Sequence, residues 1–214
     1  RPGETDQTRE GAAVDDVGGL AVVGTPIGNL DDLSPRAAEA LRAADLVACE
    51  DTRRTATLLR HAGADVPMAP LHRHNEAARG ADLVRRIASG ARVALVSDAG
   101  MPLVSDPGAR LVRAVRDAGL PVTVVPGPSA VTAALAVSGL AGDEGFVFVG
   151  FVPRRAGERR ALMEHLGALT VPAVAFESPR RLPALLAELA DAWPDRPVAV
   201  CRELTKIHEE VVRG

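Results

Sequence analysis

There is no tyrosine in this chain, one tryptophan and four phenylalanines, so aromatic residues make up only 2% of it. That leaves little material for a platform on which successive unpaired bases could stack. Lysine is nearly missing too: of 25 basic residues, Lys206 is the one lysine and the rest are arginines. The two cysteines, Cys49 and Cys201, are too few and too far apart for a disulfide framework or a cysteine zinc site. Each closes an apolar run and is expected to be a buried core thiol. No apolar run approaches the roughly 20 residues that cross a bilayer, and no basic stretch followed by an apolar one marks a secretory leader. The default location is the cytoplasm. Neither a GxGxxG fingerprint nor a P-loop ending in GK[ST] is present, so no motif points to a nicotinamide cofactor or ATP. No His, Cys and Asp set has metal-ligand spacing, and His72 and His74 read as polar surface on a short strand.

What remains is an ordinary globular composition. Hydrophobic residues make up 47% of 214, enough for one large domain or two small ones. The net charge of −3 argues against binding naked nucleic acid by bulk electrostatics. Arginine doublets at 53–54, 85–86, 154–155, 159–160 and 180–181 qualify that, because arginine grips phosphate in a bidentate fashion. Any single doublet is equally a solvated helix face.

Residues 1–18 are polar and aperiodic and read as a disordered extension. From there apolar runs alternate with capped helical segments. Strands are predicted at 20–24, 45–49, within 66–72, at 92–96 and at 121–125. Helices are predicted at 34–44, 53–62, 76–89 and 108–118, with another opening at PGPSA. Such alternation gives an α/β fold with a mostly parallel sheet and helices on both faces. The pattern breaks near Gly139–Gly145, which sets expected domains at 19–139 and 140–214. The second, of mixed α/β type, holds FVFVGFVP (146–153), a helix over 156–168, VPAVAFE (171–177), a helix over 179–192, PVAVC (197–201) and a terminal strand-like VVRG. It is small for a domain of this class, which predicts that it is incomplete or leans on another chain.

Four loops follow strands and precede helices: GTPIGN (24–29), CEDTRRT (49–55), SDAGMP (97–102) and PGPSA (126–130). Loops at the carboxyl ends of parallel strands are where open α/β sheets bind ligands, and together they predict a cleft. Glu50, Asp51 and Arg53 sit just past a buried strand, where Asp51 is either a helix cap or a site residue. Glu177 stands in the same relation to its strand. Glu203, Lys206, His208, Glu209 and Glu210 form either a solvated edge or a site. A buried lysine shifts its pKa readily, so Lys206 is a candidate base.

The blocks GTPIGNLDDLSPRA, ACEDTRRT, VSDAGMPLVSDPG, VVPGPSAVTAALAVSGL, FVGFVPR, FESPRRL and CRELTKIHEE occur in this order. From about Leu20 to Gly214 the chain thereby resembles the small-subunit ribosomal RNA methyltransferase I family, within the tetrapyrrole methylase superfamily. The resemblance implies a two-domain tetrapyrrole-methylase-like fold, a homodimer, and S-adenosylmethionine held between domains. It also implies methyl transfer to the ribose 2′-hydroxyl of a cytidine in the decoding region of 16S rRNA within the small ribosomal subunit, with no membrane and no metal. Carried over block by block, the cofactor contacts fall on Pro26, Asp98, Gly100, Met101, Ser129, Ala130 and Phe176 or Glu177. A ribose hydroxyl is a poor nucleophile and needs a nearby base or cation, for which Glu50, Asp51, Arg53 and Lys206 are the candidates. Members that methylate tetrapyrroles often carry a GxGPG-like first loop; GTPIGN favours the RNA branch. A tetrapyrrole or other small-molecule methyltransferase, and a non-catalytic S-adenosylmethionine-binding module, are the alternatives.

Overall fold

A computed structural model describes residues 18–72 and 74–214. The expected extension at 1–18 lies outside the described residues except for Gly18, which is buried. The chain divides into two compact units, and each is described by itself.

The first unit comprises 18–23, 35–98 and 107–125 among the described residues. Its strands are β1 (Gly19–Val23), β2 (Leu46–Cys49), β3 (Met68–Pro70), β4 (Arg92–Leu95) and β5 (Val122–Val125). They form one all-parallel sheet in the order β3-β2-β4-β1-β5. Val93, Ala94 and Leu95 of central β4 are each 1% exposed, as a parallel strand covered on both faces requires. Pro70, which has no N–H to give a ladder, sits on edge strand β3. The helices are α1 (Pro35–Ala43), α2 (Thr52–Ala62), α3 (Glu76–Ala88) and α4 (Ala109–Asp117). They pack in two pairs, α1 with α2 and α3 with α4. Right-handed crossovers in this strand order put the two pairs on opposite faces.

The helix ends show the local rules at work. Asp51 caps α2, its carboxylate accepting the Arg53 N–H at 2.8 Å, and Gly63 closes that helix with φ 65°. α4 begins at Gly108, which has no side chain to cap with. Buried Glu76 of α3 substitutes, accepting the Gly108 and Arg110 N–H groups at 3.1 and 2.9 Å. His72 and His74 are exposed, as expected of polar surface, but they lie past the end of β3.

The second unit comprises 24–34, 99–106 and 126–214. It holds α5 (Ala130–Ser138), β6 (Val147–Phe151), α6 (Ala156–Gly167), β7 (Ala173–Phe176), α7 (Leu182–Ala192), β8 (Ala199–Arg202) and β9 (Glu210–Arg213). β6 and β7 pair in parallel, and β8 and β9 pair antiparallel. The sequence boundary near 140 is thus displaced to 125/126. α5 is apolar all round, so its pattern names no partner; in the structure it packs on β7, β8 and β9. Segments 24–34 and 99–106, read as loops of the first domain, also belong to the second unit.

Glu76→Ala removes the one oxygen that accepts both N–H groups at the start of α4 and is expected to lower the unfolding free energy by about 2–3 kcal/mol, with Glu76→Gln losing less. Urea denaturation of the two variants checks this.

Candidate functional site

The candidate residues separate between the units. Glu50, Asp51, Arg53 and Asp98 belong to the first; Pro26, Gly100, Met101, Ser129, Ala130, Phe176, Glu177 and Lys206 belong to the second.

In the first unit, β2 ends at Cys49 and the chain turns through Glu50 into the Asp51 cap. Asp98, three residues beyond β4, reaches the same turn. Its Oδ1 accepts the Asp51 N–H at 3.0 Å and its Oδ2 lies 3.7 Å from Arg54 Nη1. So Asp51 is the helix cap that the sequence left open, and Asp98 ties the β4 loop to the start of α2. Glu50 is half-buried and its carboxylate makes no hydrogen bond or ion pair among the described residues; the exposed Arg53 guanidinium is likewise without a partner among them. Beneath them, burial pushes the Cys49 thiol above its ordinary value; a hydrogen bond with Thr55 lowers it, and the charges of Asp98 and Asp51 push it up again. Cys201, expected to be buried, is half-buried, with Sγ 3.7 Å from the Ala134 carbonyl oxygen.

In the second unit three loops meet through glycines. A Cβ on Gly24 would lie 2.6 Å from Gly127 Cα and 2.7 Å from Met101 Sδ, and one on Gly127 would lie 2.8 Å from the Gly24 carbonyl carbon. Thr25 and Gly100 exchange backbone hydrogen bonds at 3.0 and 3.1 Å, and the Thr25 hydroxyl donates to the Gly100 carbonyl at 3.2 Å. Gly100 has φ 83°, a conformation costly for any other residue. GTPIGN, AGMP and PGPSA therefore form one backbone-to-backbone cluster. Buried Pro26 and half-buried Met101, Ser129 and Ala130 sit in it. Ser129 occupies the cap position of α5 without capping it through its side chain.

A second contact reaches the C-terminal turn. Gly28 packs on Leu204–Lys206, where a Cβ would lie 2.6 Å from Lys206 Cγ and 2.9 Å from the Thr205 hydroxyl oxygen. Lys206 is exposed and its Nζ lies 3.1 Å from Glu203 Oε1, so the burial that would make it a base by desolvation is absent. Glu177 is engaged locally. Its Oε1 accepts the Ser178 N–H at 2.6 Å, and its buried Oε2 faces Arg181 Nη2 at 2.8 Å at an angle too bent for a hydrogen bond.

A cavity of about 690 Å³ lies within the second unit, with Ile27, Ala130, Phe176 and Lys206 on its wall. It brings together three of the candidates; Pro26, Gly100, Met101, Ser129 and Glu177 are not on its wall. Its volume falls in the range of small-molecule and cofactor sites. Among the described residues, no group of three or more His, Cys, Asp and Glu could hold a metal ion, and no helix is long and apolar enough to cross a membrane. The sequence reading missed Gly24, Gly28, Thr25 and Gly127. Each lies in a singled-out loop, but only their partners in space reveal their role.

Comparison with known proteins agrees with these features. The family of tetrapyrrole (corrin/porphyrin) methylases matches residues 19–214. The ribosomal RNA small subunit methyltransferase I of Xylella fastidiosa is 48% identical over 198 residues, covering 92% of this chain and 72% of that protein. The protein of the same name from Mycobacterium tuberculosis is 49% identical over 200 residues, covering 92% and 70%. Among solved structures, uroporphyrin-III-C-methyltransferase from Thermus thermophilus aligns with a TM-score of 0.62 at 25% identity, covering 92% of this chain and 84% of that one.

Gly127→Ala forces backbone against backbone and is expected to cost about 1–3 kcal/mol, lowering the melting temperature by several degrees. Gly80→Ala, inside α3 with open space around it, is the control and is expected to be neutral or stabilising. The Cys49 thiol stays protonated in the fold above 9.0, where the unfolded chain ionises it. Stability is therefore complete below that pH and falls as pH rises towards the folded value. Denaturation midpoints from pH 7 to 10 should fall less steeply in Cys49→Ala than in the parent chain.

Proposed function

We propose a role that proceeds from kinship: the chain belongs to the tetrapyrrole (corrin/porphyrin) methylase family, and within it to the ribosomal RNA small subunit methyltransferase I proteins. It is a methyltransferase whose methyl donor is S-adenosylmethionine. The acceptor we assign is the ribose 2′-hydroxyl of a cytidine in the decoding region of small-subunit rRNA, methylated by a homodimer acting on the assembled subunit. The glycine-closed cluster of three loops beside an apolar cavity carries this reading.

The residues present fit the donor. Gly24, Gly100 and Gly127 leave main chain where side chains would otherwise stand, Ala130 is small, and Phe176 offers a ring. Pro26, Gly100, Met101, Ser129, Ala130 and Phe176 would hold it directly. Glu177 would act by fixing the turn after Phe176, and Asp98 by anchoring the loop that continues into Gly100 and Met101. Bound there, the donor would supply an electrophilic methyl on a sulfonium, so that a C–O bond to the ribose would replace the C–S bond and the hydroxyl proton would go to a base.

The chain's own groups then divide the work. Among the candidate bases, Glu50 has a carboxylate without a partner among the described residues, and a general base contributes roughly 10²–10⁴-fold. Asp51 starts α2 and thereby sets Arg53, whose open guanidinium suits a substrate phosphate. Lys206, paired with Glu203, brings a positive charge to the developing alkoxide.

The test is incubation with labelled S-adenosylmethionine and small subunits lacking the modification. Label on the ribose of a decoding-region cytidine is expected; its absence, or label on uroporphyrinogen instead, overturns the assignment. Asp98→Ala is expected to weaken donor binding about tenfold by calorimetry. Lys206→Ala should leave that affinity within about twofold and reduce kcat at least tenfold, the magnitude of losing one electrostatic contact in the transition state.

A further inference from the structure

The second unit repeats one short arrangement. β6 and β7 are parallel and in register at Phe151 and Phe176, so both hand the chain over at the same edge. Each is followed by Pro-Arg-Arg: Pro153-Arg154-Arg155 after β6 and Pro179-Arg180-Arg181 after β7. In 151–160 and 176–181 six arginines face two glutamates, a local charge of +4 in a chain whose net charge is −3.

These arginines do two different things. Arg181 turns inward, its Nη2 donating to the Val152 and Pro153 carbonyls at 2.9 and 3.2 Å. Arg159 makes a bidentate pair with Glu188 at 2.7 and 2.9 Å and donates to the Arg154 carbonyl at 3.2 Å. Between them they clamp the main chain of 152–154. Arg154 and Arg180 are exposed, and their guanidinium groups form no hydrogen bond or ion pair among the described residues. Among the described residues the Arg155 side chain meets only Glu158, one turn on, and is 85% exposed.

Phe151 stands at the same edge and is 62% exposed. Its ring is braced from one side by Phe176 at 5.4 Å, which in turn meets Phe148 at 5.0 Å. Three of the four phenylalanines in an aromatic-poor chain are gathered to hold one ring out.

The geometry points to a docking face for single-stranded RNA: a base stacks on Phe151 while flanking phosphates meet Arg154 and Arg180. This rests on the rRNA methyltransferase reading and adds where the substrate strand is held. An aromatic ring among cations that have no carboxylate partner is the combination that single-stranded nucleic acid uses. Protein interfaces also enrich phenylalanine and arginine; the local charge of +4 and the cations without carboxylate partners favour a polyanion. The clamp by Arg159 and Arg181 keeps the loop fixed, so little ordering cost falls on binding.

The test uses the full chain with a fluorescein-labelled single-stranded RNA of the decoding-region sequence, and with small subunits as methylation substrate. Phe151→Ala, Phe151→Leu and Arg154→Ala/Arg180→Ala are compared with the parent. Phe151→Leu keeps apolar cover over Phe176 and guards against a folding loss. Each Phe151 variant is expected to raise the RNA Kd roughly five- to hundredfold. The arginine pair is expected to flatten the slope of log affinity against log salt by about 1.4. Both should raise KM for subunits while S-adenosylmethionine affinity stays at the parent value. Parent-like RNA affinity and KM in all variants of an active enzyme overturns the docking face and leaves the functional reading standing. A parent chain that methylates no RNA overturns the functional reading itself. A change of oligomeric state in the Phe151 variants with RNA affinity intact shows that the face belongs to a protein contact, which also overturns the proposal.

Discussion

Gly24 and Gly127 approach so closely that a Cβ on either would strike the backbone of the other. No rotamer relieves such a contact, because both sides of it are main chain. Everything in the candidate donor site follows from it. The first loop can reach Gly100 and exchange two backbone hydrogen bonds only because PGPSA lies against its start. Those bonds in turn hold Met101 beside Gly24 and place Ala130 at the wall of the cavity. Binding surfaces made of main chain need no side-chain ordering when a ligand arrives, and that is the physical advantage of building one from glycine-rich loops.

Charge follows a parallel division of labour. The arginines whose guanidinium groups face carbonyls and carboxylates, Arg159 and Arg181, are half-buried and fix the loops after β6 and β7. Neighbours one position away, Arg160 and Arg180, are exposed. Glu76 and Asp98 do comparable structural work with a negative charge, each accepting backbone N–H groups at the start of a helix to which it does not belong. Charged residues beside buried strands can therefore be scaffold or site, and only their partners separate the two.

That is also where the sequence stopped being legible. The alternation of β1 to β5 with α1 to α4 could be read because local chemistry brackets each element: Ser34-Pro35 before α1, Asp51 and Gly63 around α2, Gly119 after α4. The glycine and proline loops could be read as loops for the same reason. The displaced domain boundary could not. α5 is apolar on every side, and a helix without a polar face gives no direction to its packing. The Glu76 cap spans 32 residues and the Asp98–Asp51 bond spans 47, so neither leaves a local signal. In a doublet such as Arg180-Arg181 the letters are identical, and which one turns inward depends on the carbonyls of Val152 and Pro153 across the strand pair. Lys206 stood out by its rarity, which says nothing about burial, and its side chain is exposed.

Strain is distributed as unevenly as burial. Among the described residues, the four non-glycine residues with left-handed backbone, Leu103, Ser105, Glu203 and Thr205, all lie in the second unit. Each such residue costs of order 1–3 kcal/mol and persists only where its surroundings hold it. Leu103 and Ser105 directly follow the Gly100–Pro102 segment, and Ser105 is accommodated by the missing side chain of Gly150. Glu203 and Thr205 flank the turn that carries Lys206, which Gly28 holds from the other side. Among the described residues the first unit contains none, and it holds most of the buried apolar side chains; Pro26, Pro102, Val131 and Val152 are the buried ones of the second. A densely packed parallel sheet thus supplies the stability, while the second unit holds the strained turns, the glycine contacts and a half-exposed apolar cavity. Glu203 alone of these four lies on the cavity wall, and strain held in place there imposes its backbone conformation before any ligand binds.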